Sequence, residues 1–197
     1  MQERARDTLR VRQAGAPAWE ASLFYFNLGS PECYLAAERL SELLSVAPEW
    51  MPVQGPFEFG LKGDEIERLV VERGLQPLRW PAHWPPRTDL AMRAATYAKS
   101  IGRVTAFSLA AFRQAFAAGR DLDSPDNVVI AGAACEIHPT ALLKGVAIRS
   151  VGLALEHVSA QARSLGVRRL PALAVGGLLF EGDEALQDAA AAIAAAR

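Results

Sequence analysis

The apolar stretch at residues 22–27, followed at once by a helix start, constrains the fold more than any other feature of the sequence. Ser22-Leu-Phe-Tyr-Phe-Asn27 is short and bounded by turn residues, which is typical of a buried strand. Ser30 is a favourable helix N-cap, and Pro31 occupies the first helical position. The sequence therefore places a strand and a helix in direct succession around residue 30.

The positions of apolar, proline and glycine residues predict the remaining strands and helices. Gly176-Gly177 lies between two apolar runs, which indicates a β-hairpin. Strands are expected at 22–27, 48–59, 172–175 and 178–180, the second weakened by Pro52 and Pro56. Helices are expected at 31–45, 64–73, 88–119 with a break near 100–102, from 125 onward, 144–165 and 183–196.

This order of elements predicts an α/β fold built on one mixed sheet. The early strand–helix–strand unit and the late hairpin with its helix can share that sheet. We assign residues 21–76 and 161–197 to the sheet domain and residues 77–160 to an all-helical insertion. Residues 1–20 are polar without a clear period, and we interpret them as a flexible or loosely docked arm.

Length and charge exclude several classes of function. A chain of 197 residues suits one domain, or one domain with a large insertion. The 21 basic and 22 acidic residues give a net charge of -1, and no basic run tracks a phosphate backbone. No apolar run reaches the roughly 18 residues of a membrane span. The first twenty residues lack the apolar core of a secretory signal. We therefore expect a cytoplasmic protein without a nucleic-acid or membrane partner.

Cysteine and histidine positions give weak evidence for chemistry. Cys33 and Cys135 lie far apart and form no C-x-x-C pair, so we expect neither a local dithiol nor a metal site. Cys33 is near a helix start, where the helix N-terminus would favour partial ionisation, but a free cysteine is more often an inert buried residue. His83 and His138 lie beside loop prolines with no visible carboxylate partner, and we expect both to be exposed.

Four segments carry a family resemblance through their order and spacing. They are Phe24-Tyr-Phe-Asn-Leu-Gly-Ser30-Pro31-Glu32-Cys33-Tyr34-Leu35, Trp80 to Thr88, Phe112 to Asp121, and Gly166 to Gly182. Together they cover most of residues 22–192. The sequence resembles the DsbA superfamily of thioredoxin-like proteins, and within it the 2-hydroxychromene-2-carboxylate isomerases and kappa-class glutathione transferases. The resemblance implies a thioredoxin-like mixed sheet with a large, DsbA-type helical insertion.

The resemblance also implies a thiol-binding site at the start of the first helix. Ser30, next to Pro31, would hydrogen-bond the sulfur of glutathione, or of another low-molecular-weight thiol, and hold it as thiolate. A helix N-terminus favours an anion, and a serine hydroxyl adds a directed donor. The Leu170-Pro171 bond would be cis, with the Leu170 backbone free to pair with an extended thiol ligand. Without the resemblance, Ser30 is a helix cap and Pro171 an ordinary loop proline.

The remaining predicted contacts concern the γ-glutamyl part of the thiol ligand and the aromatic substrate. Asp183 and Glu184 would bind the amino group of a γ-glutamyl moiety, although plain capping of the last helix explains them equally. Trp80 and Trp84 would form an apolar wall for an aromatic substrate, although packing of a lid over the core is the alternative.

Three functions therefore stay open at the level of the sequence. The first is a thiol-dependent isomerase or transferase acting on a small electrophilic aromatic substrate. The second is a DsbA-like oxidoreductase that uses Cys33 as a single thiol. The third is a non-catalytic thioredoxin-fold binding protein, because no clear equivalent exists of the Asn and Arg that contact glutathione in these families. The oligomeric state also stays open, although proteins of these families are often homodimers.

Overall fold

The structure is a computed structural model, and it describes residues 22–195. The predicted arm at residues 1–20 lies outside the described residues. Four strands, β1 (Leu23–Phe26), β2 (Glu49–Pro52), β3 (Ala172–Val175) and β4 (Leu178–Glu181), form one sheet in the order β2-β1-β3-β4. β1 pairs in parallel with β2 and antiparallel with β3, and β3 pairs antiparallel with β4. The predicted mixed sheet is confirmed.

The helices of residues 22–195 lie in sequence mostly between β2 and β3. They are α1 (Pro31–Leu43), α2 (Gly63–Glu72), α3 (Asp89–Ser100), α4 (Val104–Phe116), α5 (Pro125–Ala133), α6 (Pro139–Ala147), α7 (Arg149–Ser164) and α8 (Leu186–Ala195). α3 packs against α4, α6 and α7, whereas α1 packs against α4, and α8 packs against β3 and β4. This is a thioredoxin-like fold with a helical insertion, as predicted.

Three element boundaries differ from the sequence prediction. β2 ends at Pro52 instead of reaching residue 59. The single helix predicted over 144–165 is two helices, α6 and α7, which meet at the extended residue Ile148. Arg93 from α3 donates to the carbonyls of Val146 (2.8 Å) and Ile148 (3.2 Å), and these bonds satisfy carbonyls at the end of α6. The last helix begins at Leu186 and not at residue 183.

One continuous aromatic core joins the sheet to the helical insertion. The ring of Phe112 on α4 lies 5.9 Å from Phe26 on β1 and 6.3 Å from Tyr34 on α1. Phe116, one turn later, stacks on Tyr34 at 5.7 Å. All four side chains are almost completely buried. Contacts with the sheet and with the helical insertion therefore both fix the position of α1.

The turn between β1 and α1 is held by one asparagine. The Asn27 side chain donates to the Val53 carbonyl (2.9 Å) and accepts from the Gly29 N–H (2.8 Å), while the Asn27 carbonyl accepts from the Ser30 N–H (3.1 Å). A Cβ on Gly29 would lie 3.0 Å from the Thr88 methyl group, so a larger residue would crowd this turn. These contacts set where the first turn of α1 points.

Candidate functional site

Ser30 caps α1 and is fully buried. Its hydroxyl oxygen accepts a hydrogen bond from the Cys33 N–H at 3.1 Å, which confirms the predicted N-cap. The thiolate-binding role that the resemblance assigns to Ser30 remains a prediction. In this structure the hydroxyl has no exposed surface through which to reach a ligand.

Cys33 is a fully buried, protonated thiol. Burial raises the pKa of Cys33 to about 12, although hydrogen bonds from Ser30 and from the backbone of Asn27 act in the opposite direction. Of the two interpretations offered by the sequence, the structure favours the inert buried cysteine over the partly ionised thiol, because desolvation outweighs the helix N-terminus. Cys135 is also buried, and burial raises its pKa as well.

We expect Cys33 in the folded protein to resist alkylation at neutral pH. Its thiol pKa of about 12 leaves only a trace of thiolate, and the thiolate is the nucleophile. A Cys135→Ser variant isolates Cys33, and iodoacetamide labelling at pH 7.5 followed by mass spectrometry measures its reactivity. The same variant unfolded in urea should label readily at Cys33. Rapid labelling of the folded variant would contradict this expectation and would support the hypothesis of an oxidoreductase that uses Cys33 as a single thiol.

A cavity of about 440 Å³ opens at the first turn of α1. Its walls are largely apolar and come from α1, the segment before α2, α2 itself and the tryptophan-rich loop: Pro31, Glu32, Phe59, Leu61, Gly63, Ile66, Trp80 and Trp84. The Trp80 and Trp84 rings meet edge to face at 4.8 Å, and Trp80 Nε1 donates to Glu67 at 2.9 Å. The structure thus brings Trp80 and Trp84 together with Pro31, whereas Ser30 does not line this cavity.

Glu32 is a buried carboxyl in the wall of the cavity. Its Oε1 accepts the N–H groups of Gly60 and Leu61, and its Oε2 lies 3.5 Å from Arg169 Nη2. Burial raises the pKa of Glu32, while the two N–H groups and Arg169 act in the opposite direction. Sequence reasoning missed this residue, because an acidic residue in the first turn of a helix is ordinary.

The Leu170 N–H is already bonded within the chain. The Leu170-Pro171 peptide bond is cis, as is Trp84-Pro85. Leu170 N–H donates to the Glu58 carbonyl at 3.0 Å, and Glu58 N–H donates to the Arg168 carbonyl at 2.8 Å. The expectation of a free Leu170 backbone is therefore wrong for its N–H group, because Glu58 forms a short parallel bridge beside it.

The acidic pair predicted to bind an amino group is occupied by arginines. Asp183 is buried and forms a two-point ion pair with Arg73, one arm of which is 2.9 Å, and Arg39 lies 3.6 Å away. Glu184 pairs with Arg169 at 2.8 Å. The prediction that Asp183 and Glu184 open the last helix is wrong, because that helix begins at Leu186.

The two loop histidines are exposed but not unpartnered. His83 Nδ1 lies 2.8 Å from the Asp121 carboxylate, and this hydrogen bond raises the pKa of His83. His138 caps α6 by accepting the Thr140 N–H at 3.2 Å. The sequence does not show the carboxylate partner of His83, because Asp121 is 38 residues distant.

Residues 22–195 contain no group of three or more His, Cys, Asp or Glu side chains placed to hold a metal ion. None of the helices described here is long and apolar enough to cross a membrane.

The comparison with protein families agrees with the fold. A strand, a capped helix and a helical insertion around one mixed sheet define a thioredoxin-like protein with a DsbA-type insertion. The family described as DSBA-like thioredoxin domain matches residues 23–194. The chain belongs to this family. A search of curated proteins found no match.

Solved structures share the fold at low sequence identity. A 2-hydroxychromene-2-carboxylate isomerase superposes with a TM-score of 0.75 at 18% identity, covering 89% of this chain and 95% of the other. A probable DsbA oxidoreductase from Streptomyces coelicolor gives 0.73 at 15%, covering 89% of each chain. The cytosolic disulfide reductase DsbM from Pseudomonas aeruginosa, solved with GSH, gives 0.65 at 14%, covering 89% and 98%. At these identities the likeness establishes the fold alone.

Proposed function

We propose that the protein is an isomerase or transferase of small molecules, which acts on an electrophilic aromatic substrate and uses glutathione or another low-molecular-weight thiol. The cavity at the first turn of α1 is the observation that carries this proposal. It has space for a one- or two-ring molecule and is walled by Phe59, Trp80 and Trp84. Aromatic side chains arranged in this way favour stacking and edge-to-face contacts with a flat ligand.

The residues present do not fit glutathione in the pose that the resemblance implies. The Ser30 hydroxyl is buried, the Leu170 N–H is bonded to Glu58, and Asp183 is bonded to Arg73. Participation of the thiol is therefore a separate part of the proposal, and the dependence of turnover on glutathione tests it.

The cysteine chemistry of a DsbA-like oxidoreductase has less support. Cys33 is fully buried, and its thiol pKa of about 12 leaves it protonated at neutral pH. Cys33 also has no second cysteine at position 30 with which to form a disulfide.

A second candidate function is binding of an aromatic ligand without thiol chemistry. The engaged Leu170 N–H and the engaged Asp183 carboxylate favour this candidate, because both would otherwise contact the thiol ligand. The aromatic cavity serves this function equally well.

The test uses 2-hydroxychromene-2-carboxylate as the probe, and its isomerisation is followed by ultraviolet absorbance with and without reduced glutathione. We expect turnover by the wild type and a roughly tenfold lower kcat/KM in Phe59→Ala, as loss of about 1.4 kcal/mol of apolar contact would give. The difference between turnover with and without glutathione tests the thiol separately. Leu153→Ala is the matched control, since Leu153 is 51% exposed, Phe59 is 52% exposed, and Leu153 does not line the cavity.

The other outcomes separate the candidates. Turnover that does not need glutathione would support an aromatic substrate and contradict the use of a thiol. Calorimetric binding of the probe without turnover would support the binding protein. Neither binding nor turnover would contradict the proposal for this substrate class.

A further inference from the structure

We propose that a second cavity, between α3 and α7, binds an α-amino acid with an aliphatic side chain, its carboxylate at Arg163 and its ammonium group at Asp89. The cavity has a volume of about 450 Å³, and its walls come from α3, from α7 and from the segment after β2. None of the residues that line it also lines the aromatic cavity. The inference therefore goes beyond the proposed function and does not depend on it.

The second cavity holds charges of both signs that do not pair with each other. Its lining includes two carboxylates and two guanidinium groups, which belong to Asp89, Arg93, Glu156 and Arg163. None of the ion pairs within residues 22–195 involves any of the four. Glu38 and Arg113, in contrast, line a different cavity and pair with each other at 2.7 Å. The separated charges of the second cavity are therefore open to a ligand.

Solvent reaches all four charged side chains. Asp89 and Glu156 are exposed, and Arg93 and Arg163 are half-buried. An anion in this cavity would face two carboxylates, and a cation would face two guanidinium groups, so the lining as a whole favours neither. A zwitterion meets a partner of opposite charge at both of its charged groups, which is the electrostatic match that this lining offers.

Gln54 lies between Asp89 and Arg163 and contacts both. Its Nε2 donates to Asp89 Oδ1, and its backbone carbonyl accepts from Arg163 Nη1 at 3.4 Å. The Gln54 backbone is held in turn by the Ser159 hydroxyl, which accepts the Gln54 N–H at 2.8 Å. Because both charged groups contact the same residue, they lie within the length of one side chain of each other. The head group of an α-amino acid, which carries both charges on one carbon, is of a size to contact both.

Arg163 is the guanidinium with donors to spare. A guanidinium has five N–H groups, and the bond to Gln54 is the only one that the Arg163 side chain makes within residues 22–195. Arg93, in contrast, donates to the carbonyls of Val146 and Ile148. Since a carboxylate binds a guanidinium best through two parallel hydrogen bonds, Arg163 is the better carboxylate site.

Two glycines make room for the guanidinium groups in the cavity wall. A Cβ on Gly55 would lie 2.9 Å from Arg163 Nη1, and a Cβ on Gly152 would overlap with Arg93 Nη1. Both glycines line the cavity. A side chain at either position would therefore displace an arginine from the wall.

The remaining lining favours an uncharged ligand side chain. Arg93 and Glu156 carry one charge of each sign, so a charged side chain that approaches both gains from one and loses to the other. Leu155, on the same face of α7, supplies an aliphatic contact. We therefore use L-leucine as the probe.

Calorimetric titration of three matched compounds into the full chain tests the proposal. L-Leucine carries both charges, 4-methylpentanoate lacks only the amino group, and 3-methylbutylamine lacks only the carboxylate. We expect L-leucine to bind about tenfold more tightly than either of the others, because each lost charge removes a charge-assisted hydrogen bond. Equal binding of L-leucine and either of the other compounds would overturn the proposal. The absence of L-leucine binding at millimolar concentrations would also overturn it.

Two variants locate the head group. Arg163→Gln should weaken L-leucine binding about tenfold and leave binding of 3-methylbutylamine unchanged. Asp89→Asn should weaken L-leucine binding about tenfold and leave binding of 4-methylpentanoate unchanged, and its amide oxygen can still accept from Gln54.

Arg149→Gln and Asp126→Asn are the matched controls. Arg149 is an exposed arginine of α7, and Asp126 is an exposed acid in the first turn of α5, as Asp89 is in α3. Neither lines the cavity, so both variants should bind L-leucine as the wild type does. Unchanged binding in Arg163→Gln and Asp89→Asn as well would overturn the proposal, because L-leucine would then bind elsewhere. The comparison of the three compounds on the wild type decides the matter even if a variant does not fold.

The aromatic cavity provides the last control. Phe59→Ala alters that cavity and should bind L-leucine as the wild type does. Binding of L-leucine by a protein that does not act on the aromatic probe would support the second cavity and contradict the proposed function. Turnover of the aromatic probe without binding of L-leucine would support the proposed function and overturn the second cavity as an amino-acid site.

Discussion

Asp183→Asn is expected to lower the free energy of unfolding by about 3–5 kcal/mol, the range found when one partner of a buried ion pair is removed. Asp183 is 3% exposed and binds Arg73 at two points, with Arg39 nearby at 3.6 Å. Asparagine fills the same space but leaves two guanidinium groups facing each other without a countercharge. For a chain of this length, the loss corresponds to a melting temperature lower by roughly 10 °C.

Glu184→Gln is the control for this prediction. Glu184 is adjacent in sequence and also pairs with an arginine, but its side chain is 61% exposed. An exposed pair contributes about 0–1 kcal/mol, so this variant should unfold almost like the wild type. Urea unfolding of both variants gives the comparison. Equal, small losses would show that the Asp183 pair contributes no more than a surface contact.

Phe112→Ala is expected to cost about 3–5 kcal/mol, as for other large-to-small substitutions of aromatic core residues. Phe112 is fully buried on α4 and contacts Phe26 of the sheet and Tyr34 of α1. The substitution removes the ring that joins the helical insertion to the sheet. We therefore expect both layers to lose stability together.

Hydrogen exchange followed by mass spectrometry checks this coupling. Peptides from α1 and from β1 should exchange faster in Phe112→Ala, as should those from α4 itself. Leu153→Ala, at an exposed position of α7, should leave exchange in α1 unchanged. Faster exchange confined to α4 would show that the insertion and the sheet unfold separately.

The sequence predicted the elements whose signals are local. Ser30 and Pro31 predicted the start of α1, because a cap and a proline act within one helical turn. Gly176 and Gly177 predicted the hairpin, and both have the positive φ angles that such a turn requires, 58° and 85°. Trp80 and Trp84 lie in one short loop, so their proximity is also a local feature, whereas their role as a wall for a substrate stays a prediction.

The remaining features depend on contacts between distant residues. The break at Ile148 is set by Arg93, 55 residues earlier, and Asp183 is neutralised by Arg73, 110 residues earlier. Glu32 has the sequence context of an ordinary first-turn acid, and only the fold places Gly60 and Leu61 against its carboxyl. The local sequence pattern does not indicate which distant residues pair, so the ion pairs and hydrogen bonds of these charged residues could not be predicted.

The bridge at Glu58 occupies the backbone edge at Leu170 that the resemblance assigns to ligand binding. Any extended ligand that pairs with the Leu170 N–H must first displace the Glu58 carbonyl, and each backbone hydrogen bond contributes about 1 kcal/mol. The displaced form is then a minor population. The apparent affinity of such a ligand falls by the fraction of molecules in that form. Ligands that occupy only the aromatic cavity would avoid this penalty, so we expect the protein to bind compact molecules in preference to peptide-like ones.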